Sequence, residues 1–71
     1  MKRYEIVFFS SADYDRLTAE IVFDGEEIAL VQQEEGADNL IVEFYHNSKI
    51  PKVYLNDLID ALQEAQARLT E

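Results

Sequence analysis

Apolar and polar residues alternate with a period of two along four stretches of this chain, residues 3–9, 17–23, 27–33 and 39–45. Alternation of this kind sends successive side chains to opposite faces of a pleated strand. Between the second and third stretches stands Asp24-Gly25. Glycine takes a positive φ without steric cost and aspartate tolerates one, so the pair predicts a two-residue hairpin turn. That turn sets Phe23 opposite Glu26, Ile21 opposite Ile28 and Ala19 opposite Leu30. Residues 10–15 and 34–38 read as the other two turns.

After Pro51 the period changes. Leu55, Leu58, Ile59, Leu62, Ala65, Gln66 and Leu69 recur at helical spacing and predict a helix from about Leu55 to Leu69. Asn56 is a candidate cap, and Asp57, Asp60 and Arg68 suit the helix dipole. Lys52 and Val53 are candidates for a short edge strand. The order β-β-β-β-α defines an α+β fold: one domain over residues 1–71, a four-stranded antiparallel meander with the C-terminal helix packed on one face.

Strict alternation sorts the strand residues onto two faces. One reads Tyr4, Ile6, Phe8, Leu17, Ala19, Ile21, Phe23, Ile28, Leu30, Leu40, Val42 and Phe44, and is the expected seat of the helix. On it, Leu58, Ile59 and Leu62 are expected to meet Ile21, Phe23, Ile28 and Leu30. The other face mixes Val7, Phe9, Val22, Ala29, Val31, Ile41 and Tyr45 with Glu5, Thr18, Glu20, Glu27, Gln33 and Glu43. A single helix covers only one face. The apolar residues on the other either serve strand propensity or await a second chain.

Composition narrows the function. Seventy-one residues make one domain, too small for a deep cleft with a buried catalytic cluster. Absence of cysteine removes disulfides, thiolate metal sites and thiol nucleophiles, and fits a reducing cytoplasm. The apolar run Ile6-Val7-Phe8-Phe9 is too short for a signal peptide, and no stretch is long enough to span a membrane.

Charge changes the picture more. The net charge of −9 sits in the middle of the chain, where residues 13–43 carry ten acids against Arg16 alone. Such a field repels nucleic acid and anionic lipid, and attracts cationic proteins. Solubility alone is the competing explanation.

Chemistry-bearing motifs are few. His46 is the lone histidine, which removes His pairs for zinc and longer relays. Asp13-Tyr14-Asp15 opens like a calcium loop. Thr18 then stands where that loop needs glycine, and Asp24 where it needs glutamate. Gly25 and Gly36 match no phosphate-cradling spacing. Glu26-Glu27 and Glu34-Glu35 are adjacent pairs, not convergent ones. No catalytic residue, cofactor or metal ligand is assigned, and the chain is not expected to be an enzyme.

A meander brings its first and third turns to one end of the sheet. Asp13, Asp15, Glu34, Glu35 and Asp38 are therefore expected to converge there as a solvated partner-binding set, extended across the sheet by Glu20 and Glu43. Residues 19–25, 28–36 and 39–44 (AEIVFDG, IALVQQEEG and NLIVEF) resemble small bacterial proteins. Some of these are similar to immunity proteins of contact-dependent inhibition and polymorphic toxin systems. The likeness rests on strands and turns and carries over no residue role. It implies a stoichiometric inhibitor that blocks a toxin domain, often a basic nuclease. The alternatives are a structural or regulatory homodimer pairing through its sheet, and an inhibitor that mimics nucleic acid.

Overall fold

A computed structural model describes residues 3–70. The strands are β1 (Tyr4–Phe9), β2 (Thr18–Phe23), β3 (Glu26–Gln32) and β4 (Ile41–Phe44), followed by the helix α1 (Leu55–Leu69). They form one antiparallel sheet in the order β1-β2-β3-β4, with α1 on one face. The expected α+β meander is the observed fold. Asp24 and Gly25 both take positive φ, 51° and 77°, as the primed hairpin turn requires.

The register departs from strict alternation at one point. Phe23 faces Glu26 and Val22 faces Glu27, but Ile21 then faces Ala29 instead of Ile28, and Ala19 faces Val31 instead of Leu30. Ile28 is the extra residue of a β-bulge on β3. Every later residue of β3 therefore changes sides. Ala29 and Val31 join the helix face, whereas Leu30 pairs between Glu20 and Glu43 on the other. The bulge lets Ile28 and Ala29 both enter the core, and five consecutive residues of β3 are buried.

On the helix face Ala19, Ile21, Phe23, Ile28, Ala29 and Val31 pack against Ala61, Ala65 and Leu69. Leu58 and Leu62 flank this contact half-buried, and Ile59 is 41% exposed, so the expected Leu58/Ile59/Leu62 seam is displaced by about one helical position. The physical reason is size. Two alanines one turn apart let the helix approach the sheet closely, and the larger residues fill the sides. The N-cap is Tyr54, not Asn56, and its side chain accepts no capping hydrogen bond. Lys52 and Val53 form no strand. The segment before the helix is irregular, Pro51 having no N–H for a ladder, and Ile50 and Val53 pack on the core edge.

Candidate functional site

The acids of the first and third turns meet at one end of the sheet, but not as equals. The Glu34 carboxylate accepts from the backbone N–H groups of Asp15 (3.1 Å) and Arg16 (3.0 Å). It is a staple between the two turns: the side chain is exposed, as expected of a turn acid, but it is not free. Gln33 donates to the carbonyl of Leu17 at 2.9 Å, and the Gln32 side chain accepts from the N–H of Glu34 at 2.9 Å. Thr18, wholly buried, donates to the Phe9 carbonyl at 2.8 Å. Gly36, at φ 104°, continues the turn by donating to the Gln33 carbonyl. The end is thus held in shape by its own hydrogen bonds.

Glu20 and Glu43 lie on the face away from the helix, on either side of Leu30. The Tyr45 hydroxyl donates to Glu20 at 2.7 Å. Tyr45 follows β4 and Glu20 belongs to β2, so this phenol crosses over β3. The Tyr14 hydroxyl, from the first turn, donates to Glu43 at 2.5 Å, and Gln32 donates to the same carboxylate at 3.2 Å. Leu30, between the two glutamates, is only 6% exposed on a face that no helix covers. The two tyrosines tie down part of this face, while Val7 on it stays 44% exposed. Val31, expected here, is 2% exposed in the core instead.

Both phenols hold their protons more tightly than a free tyrosine. For Tyr14 the chief cause is the hydrogen bond to Glu43, followed by burial and by the charges of Glu43, Asp13 and Glu34. For Tyr45 burial comes first, then the bond to Glu20 and the charges of Glu20, Glu27 and Glu43. In each case ionisation would set a phenolate against a carboxylate.

Of the seven expected partner-binding carboxylates, Glu20, Glu34 and Glu43 are thus engaged within the chain. Asp13, Asp15, Glu35 and Asp38 are exposed and accept no hydrogen bond among the described residues. Sequence reasoning missed Tyr14, Tyr45, Gln32 and Gln33. The two glutamines left a signal, since a polar pair ending the apolar run Ile28–Val31 needs buried partners. The tyrosines left none, because their bonds span 25 and 29 residues.

Elsewhere the chemistry is sparse. His46 is exposed. Among the described residues no group of three His, Cys, Asp or Glu is placed to hold a metal ion, and no helix is long and apolar enough to cross a membrane. A 410 Å³ cleft at the helix N-terminus is lined by Arg3, Phe23, Ile50, Lys52, Tyr54 and Asp57. Arg3 there pairs with Asp57 at 3.0 Å and stacks over the Tyr54 ring at 4.6 Å. No protein-family model, curated protein or solved structure matches the chain.

Proposed function

We propose that this chain is an acidic, cytoplasmic protein-binding module of the immunity type, which captures and neutralises a cationic toxin domain without catalysis. One observation carries the reading. Asp13, Asp15, Glu35 and Asp38 stand exposed and, among the described residues, unpaired on an end whose backbone is stapled by Glu34, Gln33 and Thr18. Unpaired like charges repel one another, and a basic partner relieves that repulsion while the staples keep the ordering cost low. Glu34, Glu20 and Glu43 act chiefly by holding the surface in shape.

The reading predicts a gene for a basic toxin domain beside this one, with co-expression abolishing that domain's toxicity. Replacing Glu35 and Asp38 together by lysine should slow association at least about tenfold at low salt, with the difference shrinking as salt rises. Equal association rates for wild type and variant at both salt concentrations would exclude electrostatic capture. A homodimer pairing through the sheet is the second reading, favoured by Phe44, which is 61% exposed at an edge strand. Sedimentation of the isolated chain separates the two.

A further inference from the structure

The two edges of the sheet are treated differently. Along β1 the helix reaches across with side chains: Arg3 bonds Asp57 at 3.0 Å, Tyr4 bonds Glu64 at 3.3 Å, and Arg68 lies over the Phe8 ring at 4.3 Å. The helix packs over β1 and β2. Beside β4 it leaves a groove of about 190 Å³ lined by Val31, Leu40, Val42, Leu62, Gln63 and Gln66. Phe44 and Ile59 are 61% and 41% exposed on the same side of the sheet.

The backbone of β4 is also available. Tyr45 N–H donates to the Ile28 carbonyl at 3.0 Å. In an antiparallel ladder bonded pairs alternate, so Glu43–Leu30 and Ile41–Gln32 are the next bonded pairs. Val42 and Phe44 then direct their N–H and C=O groups outward, and no backbone bond among the described residues reaches them from that side.

We propose that β4 accepts an extended strand of the cationic partner, in which apolar residues alternate with lysine or arginine. The alternation follows from the two faces that such a strand would extend. Its apolar residues would continue the helix face beside Val42, Phe44 and Ile59. Its basic residues would lie on the face of Glu43, whose strands carry Glu5, Glu20, Glu27 and Glu43 and no lysine or arginine. Glu43 already accepts from Tyr14 and Gln32, but an ionised carboxylate has about four acceptor sites. A second copy fits worse. Two β4 edges paired about a twofold axis bring Glu43 and its symmetry mate onto one face, and each chain carries −9. The inference deepens the proposed partner-binding function and rests on it.

The test uses the full chain and the capped peptide Lys-Val-Lys-Val-Lys-Val-Lys, with a block-sequence control of equal composition, followed by amide NMR. The expected result is shifted and newly protected Val42 and Phe44 amides with the alternating peptide only. Val42→Pro removes an outward donor without touching the β3 ladder and should weaken binding about tenfold, the equivalent of ~1.4 kcal/mol. Phe44→Asp, at an exposed position, provides a second variant that does not depend on proline being tolerated. Shifts confined to residues 13–15 and 34–38, with Val42 and Phe44 silent, would overturn the strand proposal while supporting acidic capture. No shift anywhere at low salt would overturn both. Protection of Val42 and Phe44 without peptide, together with a dimer in sedimentation, would overturn it in favour of a second copy.

Discussion

The two faces of this sheet are closed by different physics. On the helix face, alkyl and aromatic groups pack against Ala61, Ala65 and Leu69. On the other face, two tyrosine hydroxyls are held by Glu20 and Glu43, on either side of the nearly buried Leu30. The first closure has no ionisable group at its centre and responds little to salt or pH. The second is built from hydrogen bonds to carboxylates, so it answers to both. A small domain with one helix thereby ties down part of its second face, where Val7 stays 44% exposed, and places its charge-sensitive half beside the acidic end.

The largest expected effect breaks the dry face. Ile21 is completely buried, and Ile21→Ala should destabilise the fold by about 2–5 kcal/mol in urea unfolding. Leu62→Ala, at the half-buried flank, should cost clearly less. Equal losses would mean that the helix axis lies nearer β4 than described.

A smaller effect tests the acidic end. Glu34→Ala leaves two backbone N–H groups without their acceptor and should destabilise by about 1 kcal/mol, with faster amide exchange at Asp15 and Arg16. Glu35→Ala, with no internal bond to lose, should change stability by less than ~0.5 kcal/mol. Matching losses in the two variants would erase the distinction between staple and free carboxylate.

The smallest effect sharpens the contrast in pH. Tyr14 and Tyr45 ionise less readily folded than at the ordinary tyrosine value of 10.0. Protons therefore leave the unfolded chain first. The stabilisation is fully present below about pH 10 and is lost as pH rises beyond it. Replacing both tyrosines by phenylalanine should lower stability at neutral pH and flatten this alkaline loss. The two proteins differ only at these two side chains, so the difference between their stability curves isolates the phenols. Parallel stability curves above pH 10 would show that the two bonds are not formed in solution.

What the amino-acid sequence determined by itself is the set of features governed by near neighbours. The Asp24-Gly25 turn, the four alternating runs and the helix from Leu55 to Leu69 follow from φ preferences and periodicity, which act within a few residues. The convergence of two acidic turns was legible too, because a meander leaves no other place for them. The faces of β3 were not. Ile28, Ala29, Leu30 and Val31 are all apolar, so no polar residue marks the bulge, and one extra residue reverses everything after it. Only the assembled sheet decided that Val31 belongs to the core and Leu30 to the opposite face, between Glu20 and Glu43. It likewise decided which carboxylates are spoken for. Glu20, Glu34 and Glu43 look like Glu35 in sequence, and they differ because partners 18 to 29 residues away reach them once the chain has folded.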